Sequence, residues 1–126
     1  MVNKNQILKG QEGESIAERY FKKQGYKIIF KNFRTKTGEI DLIVEKKGTL
    51  VFVEVKACAV QGDGPLPEEK VNLSKRRRII EASKFFCSKE KSLIDRIKEF
   101  RYDVIVVDIN KKSVVRHYES AFFDED

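Results

Sequence analysis

Asp41, Glu54 and Lys56 are the residues with the most to offer chemically, with Glu39 two places before the first of them. All four lie in GEIDLIVEKKGTLVFVEVK, Gly38 to Lys56, where apolar residues otherwise alternate as in a β-hairpin. A turn centred on Lys47 and Gly48 needs positive φ at both positions, which glycine adopts at little cost and lysine at more. That turn sets Val44 opposite Val51, Leu42 opposite Val53 and Ile40 opposite Val55, an apolar face that belongs against a core. On the other face Ile43 meets Phe52, Asp41 meets Glu54 and Glu39 meets Lys56.

Directly opposed side chains have Cβ atoms about 4.5–5.5 Å apart, and like charges there are destabilising. Two remedies exist for Asp41 facing Glu54: one carboxyl takes up a proton, or a cation sits between them. Lys56, two residues beyond Glu54, points to the same side. Acidic oxygens with a backbone carbonyl suit a hard cation, Mg2+ or Mn2+, which keeps several waters. A single histidine and no cysteine cluster argue against Zn2+. Such a metal beside a lysine is the outline of a phosphodiester hydrolysis site. The competing reading is solvated charge on the exposed face of a hairpin; Ile43 and Phe52 on that face speak against it.

The elements around this hairpin must position it. The chain has 126 residues, 40% hydrophobic and 37% charged, enough apolar content for one core in a single domain spanning 1–126. QEGESIAERYFKKQG predicts a helix over about residues 10–24, closed by Gly25. YKIIFKNFR reads as a strand, and AVQGDGPLPEE as a loop that could lie over the site. Ser74 is placed to cap a second helix running to about Cys87, with Ile79, Ile80, Ala82, Phe85 and Phe86 as its apolar side. LIDRIKEF suggests a short third helix, and RYDVIVVDI and SVVRHYE two final strands. The expected order is α-β-β-β-α-(α)-β-β, an α/β mixed sheet flanked by helices. Phe122 and Phe123 are expected to pack on that sheet.

Formal net charge is +6, which favours a polyanionic partner, and the basic residues gather at Lys75-Arg76-Arg77-Arg78. Cations in a first helical turn oppose the macrodipole, and a bound phosphate would relieve this. The cluster reads as a track for phosphate backbone without sequence readout, which Arg34 and Lys36 would extend. Solvated charge is the alternative for each of these residues taken singly. Asp103 reads as a buried partner for a basic group or a strand-edge charge, and His117 as structural. No apolar run approaches the roughly 20 residues that span a bilayer, so no membrane partner is expected. The first residues lack a secretory pattern, and Cys58 and Cys87 suggest free thiols; a cytoplasmic protein is expected.

Asp41, then Glu54-Val55-Lys56, matches the PD-(D/E)XK nuclease pattern. GQEGESIAERYF, NFRTKTGEIDLI, LVFVEVK, FRYDVIVV and a closing AF follow in that order over nearly the whole chain. In these segments the sequence resembles the YraN-like family of bacterial proteins, and more distantly the archaeal Holliday-junction resolvases. The resemblance implies a restriction-endonuclease-like fold, Asp41 and Glu54 as metal ligands with the Val55 carbonyl as a third, and Lys56 as the catalytic lysine. It also implies Glu14 as a further active-site carboxylate, although acids early in a helix are favoured by the macrodipole alone. Glu39 would support a ligand or touch substrate. One departure is the ACA of Ala57 to Ala59, where family members usually carry basic residues. Junction resolvases are dimers, so the resemblance is compatible with a homodimer.

The expected function is a Mg2+- or Mn2+-dependent endonuclease acting on DNA, favoured over RNA, in branched or flapped structures. Arg34 and Lys75 to Arg78 would hold the nucleic acid. The rivals are a nucleic-acid-binding protein of the same fold with little activity, and an interaction protein whose charged face is only solvated.

Overall fold

The computed structural model describes residues 4–59 and 72–124, with side chains from Leu8 onward. The GDGPLP segment of the anticipated loop lies outside the described residues. Eight elements follow in the expected order: α1 (Lys4–Lys23), β1 (Lys27–Arg34), β2 (Glu39–Lys46), β3 (Thr49–Cys58), α2 (Leu73–Lys89), α3 (Lys91–Ile94), β4 (Glu99–Asp108) and β5 (Ser113–Phe122). The strands form one sheet in sequence order, β1-β2-β3-β4-β5. Only β3 and β4 are parallel, and the helices between them supply the crossover that parallel neighbours require.

Local chemistry explains most boundaries. Gly25, at φ +89°, closes α1: its N–H donates to the Lys22 carbonyl, and the Tyr26 N–H donates to the Phe21 carbonyl. Helix α1 begins earlier than the periodicity suggested, at Lys4. Asn72, rather than Ser74, caps α2; its side-chain oxygen accepts the Lys75 N–H at 2.8 Å. Lys47 and Gly48 carry φ of +50° and +87°, as the two-residue turn demands.

The sheet buries two cores. Ile16, Ala17 and Phe21 of α1 cover Leu42, Val44, Val51, Val53, Ile105 and Val107. On the opposite side Ile79, Ala82 and Phe86 of α2 cover Ile43, Leu50, Phe52, Val104 and Phe122. Phe21, Phe52 and Phe86 are fully buried, and each such side chain is worth about 1.5–3 kcal/mol of transfer free energy. Phe122 packs as expected, whereas Phe123 is two-thirds exposed, just past the end of β5.

Ile40 departs from the simple alternation. It joins Ile43 on the α2 side instead of Leu42 on the α1 side. The change of face is shared by the neighbouring strand. Lys31, paired with Leu42, reaches Glu18 of α1 at 3.6 Å, while Phe33, paired with Ile40, meets the Phe86 ring of α2 edge-on at 5.3 Å. Between them Asn32 takes φ +53°, the left-handed region that asparagine tolerates better than most residues. Asp41, opposite that irregular residue, is released from the alternation that would have aimed it at one face.

A buried polar cluster ties the far edge of the sheet to α1. Asp103 is completely buried and accepts two hydrogen bonds from Arg101 at 2.9 Å, one from the Ser120 N–H at 3.1 Å, and contacts His117 Nε2 at 2.7 Å. Burial pushes its carboxyl up, but the bonds from His117, Arg101 and Ser120 outweigh this and hold it below the ordinary range. Tyr20 of α1 completes the chain, its hydroxyl 2.9 Å from His117 Nδ1. Asp103 is thus the buried partner of basic groups, and His117 is structural.

Two glycines let backbones approach closely. A Cβ on Gly13 would sit 2.8 Å from Cβ of Ala57, where α1 crosses β3. A Cβ on Gly38 would collide with the carbonyl of Arg78 in α2. Gly38 also ends the β1–β2 turn, donating its N–H to Thr35 Oγ1 at 3.0 Å while its carbonyl accepts the Thr35 N–H at 2.8 Å. Gly38→Ala must push α2 off this turn, so denaturant unfolding should show a loss of about 1–3 kcal/mol.

Candidate metal centre

Strands β2 and β3 pair from Lys46–Thr49 to Leu42–Val53 in the register set by the Lys47–Gly48 turn, and the pairing goes no further. The next β3 donor is taken by a side chain: the Val55 N–H donates to Asp41 Oδ2 at 2.8 Å. Asp41 therefore lies between the two strands, replacing a ladder contact with its carboxylate. The Glu54 carboxyl lies within hydrogen-bonding reach of it. Glu54 is itself only 7% exposed. Burial first, and the charge of Glu54 second, push the Asp41 carboxyl up to about 8, against the pull of the Val55 N–H.

Helix α1 adds Glu14. Burial raises its carboxyl above the ordinary range, a hydrogen bond from Asn32 opposes this, and the charges of Glu39 and Glu54 add to the rise. Glu14 in turn acts on Asp41. The fold thus gathers Glu14, Asp41 and Glu54 into one electrostatic neighbourhood. Among the described residues, no three His, Cys, Asp or Glu side chains converge to hold an ion by themselves. The residues that fit a cation are the mutually repelling pair Asp41 and Glu54, with a backbone carbonyl such as that of Val55. Such a set suits Mg2+ or Mn2+ with several waters. Lys56 stands two residues beyond Glu54 on β3, on the same side by strand alternation.

Helix α2 brings the basic residues, but not as one track. Successive helical residues turn by about 100°, so the four cations divide. Lys75 and Arg78 line a cleft of about 500 Å³ with Arg34, Lys36 and Glu39 of the β1–β2 turn. Lys75 Nζ also reaches Glu54 Oε1 at 3.1 Å, and Arg34 Nε pairs with Glu39 Oε1 at 3.3 Å. Arg76 and Arg77 face away, lining a separate cavity of about 530 Å³ with Phe122 and Phe123; the Arg76 guanidinium lies 5.8 Å from the Phe122 ring centre.

The Lys75–Glu54 contact escaped the sequence reading, although its signal was present. Lys75 stands four residues before Ile79, on the stripe that continues through Ala82 to Phe86. A helix that buries that stripe on the sheet must aim Lys75 at the sheet too. Asn32 was also missed; asparagine inside a strand pattern was the available hint.

The site thus belongs to an α/β domain with a carboxylate pair at the opening between two central strands. Residues 13–107 match the model of the uncharacterised protein family UPF0102, and the chain belongs to that family. UPF0102 proteins of Persephonella marina and Alkaliphilus metalliredigens are 38% and 39% identical to it, over 91% and 90% of this chain and 93% and 96% of theirs. Among solved structures, an fdxN element excision controlling factor protein from Anabaena variabilis aligns over 86% of this chain and 98% of its own, with 9% identity and a TM-score of 0.39. An XisH family protein from Nostoc punctiforme gives 85%, 98%, 9% and 0.38. No helix among the described residues is long and apolar enough to cross a membrane.

Because the folded-state pKa of Asp41 is raised, its proton contributes stability at low pH that is lost as pH rises through about 8. In metal-free buffer, Asp41→Asn should therefore melt near wild type at pH 4 and above it at pH 8.5. Added Mg2+ should raise the melting temperature of wild type at pH 8.5 and leave Asp41→Asn unmoved.

Proposed function

We propose that this chain is a metal-dependent nuclease that hydrolyses phosphodiester bonds in DNA, in branched or flapped structures. The observation that carries the reading is the pairing of half-buried Asp41, fixed by the Val55 N–H at 2.8 Å, with buried Glu54, whose charge helps raise the Asp41 carboxyl. The resemblance to the PD-(D/E)XK pattern supports it, as does the basic cleft beside the pair. The fold is compatible with restriction-endonuclease-like architecture: a mixed sheet flanked by helices, with the pair on adjacent strands.

Asp41 and Glu54, with the Val55 carbonyl, would hold Mg2+ or Mn2+. Such an ion, when bound, lowers the pKa of a water and neutralises phosphate charge. Lys56 orients the attacking water or offsets the charge that develops on the phosphate oxygens. Glu14 adds negative potential at the mouth of the pair, and Glu39 holds the Arg34 guanidinium at the rim. Lys75, Arg78, Lys36 and Arg34 contact the phosphate backbone through charge rather than base edges.

One observation favours a second reading, a nucleic-acid-binding protein with little activity: Lys75 Nζ lies 3.1 Å from Glu54 Oε1 and so competes with a cation for that carboxylate. A cleavage panel separates the two, using duplex, single-stranded, flapped and four-way-junction DNA and an RNA control, each with Mg2+, Mn2+ or chelator. The nuclease reading expects metal-dependent products that fall about a hundredfold or more in Asp41→Ala and in Lys56→Ala. Salt-sensitive binding without products on any substrate would leave the binding reading in its place.

A further inference from the structure

We propose that the cleft formed by Arg34, Lys36, Lys75 and Arg78 is a phosphate site whose occupation draws Lys75 away from Glu54. Nucleic-acid binding is thereby coupled to metal binding. The inference rests on the nuclease reading of the Asp41–Glu54 pair and specifies how that site is loaded.

Lys75 has two uses for one charge. Its ammonium lies 3.1 Å from Glu54 Oε1, and its side chain also lines the cleft. Glu54 is nearly sealed, with 8% of its side chain exposed, whereas Lys75 is about half exposed. The carboxylate is therefore fixed and the lysine is the member able to move, on a flexible four-carbon stem that arginine would not match. A divalent cation entering between Asp41 and Glu54 would meet a like charge at contact distance from one of its ligands, so Lys75 must withdraw. With the cleft empty it withdraws into water and the ion pair is simply lost. A phosphate in the cleft gives the ammonium a new anion within its reach.

The rest of the cleft favours a phosphate as that anion. Arg34 is engaged by Glu39 at 3.3 Å, which leaves the cleft lined by Lys36, Lys75 and Arg78 as further cations against one acid. The Thr35–Gly38 turn forms one wall and, through Gly38, is seated directly on the α2 backbone, so the wall and Lys75 are held in fixed relation. Phosphate and metal then each favour the state in which Lys75 has left Glu54. Linkage requires the effect to be mutual: whatever factor the phosphate gives the metal, the metal gives the phosphate.

The test measures Mn2+ affinity by calorimetry on the full chain, alone and saturated with a cleavage-resistant phosphorothioate oligothymidylate. Wild type, Lys75→Met and Arg78→Gln are compared, with thermal melting confirming that each is folded. The oligonucleotide should tighten Mn2+ binding to wild type about tenfold. Lys75→Met should bind Mn2+ about tenfold more tightly than wild type without the oligonucleotide, and gain little on its addition. Arg78→Gln, in the cleft but not paired with Glu54, should lose oligonucleotide affinity and keep the wild-type affinity for Mn2+ alone.

The inference is overturned if Lys75→Met binds Mn2+ no more tightly than wild type. It is equally overturned if Arg78→Gln gains as much Mn2+ affinity as Lys75→Met, since the effect would then be general charge. Metal-dependent cleavage without the coupling removes this inference alone. Coupling without cleavage removes the nuclease reading alone, and a wild type that binds no Mn2+ removes both.

Discussion

The hydrogen bond from the Val55 N–H to Asp41 is the contact on which the site depends. It satisfies a backbone donor that would otherwise be orphaned where the β2–β3 ladder stops. It also holds the half-buried Asp41 carboxyl against Glu54, which is buried. Everything nearby answers to that arrangement. Asn32 in the adjacent strand takes a left-handed φ, and Lys75 supplies a positive charge to Glu54. Burial first, and the neighbouring Glu54 second, raise the Asp41 carboxyl and so favour its protonated form.

The hairpin was legible because period-two alternation and a Lys-Gly turn fix register together; the observed pairs from Leu42–Val53 to Lys46–Thr49 follow from nothing else. The element order was legible for the same reason, since each element carries its own period or its own cap. The face of Ile40 was not, because alternation groups it with Leu42, and the left-handed residue that accompanies the change lies in a different strand. Nor was the division of the basic run. A string of four cations looks uniform in sequence, and only the docking of Ile79, Ala82 and Phe86 decides which of them face the carboxylates. Glu14 illustrates a further limit: its neighbours Asn32, Glu39 and Glu54 come from other elements, so no local pattern could have announced them.

The two sides of the sheet carry different burdens. On the α1 side, Asp103, Arg101, His117 and Tyr20 lock β4 and β5 to the helix through a buried chain of charge-assisted bonds. Gly13 meanwhile brings α1 down onto Ala57. On the α2 side the packing is aromatic, Phe52, Phe86 and Phe122, and ends at a helix whose first turns are cationic.

The shared change of face at Asn32 and Asp41 has an evolutionary consequence. Asp41 belongs to neither core, since Ile40 is buried with one helix and Leu42 with the other. Its replacement by another small polar residue need not repack a single buried ring. The residues that fill the two cores and the residue that meets Glu54 are therefore different ones in this stretch. Drift at position 41 therefore leaves both cores untouched, so the side chain presented to Glu54 and the scaffold that presents it are separately heritable.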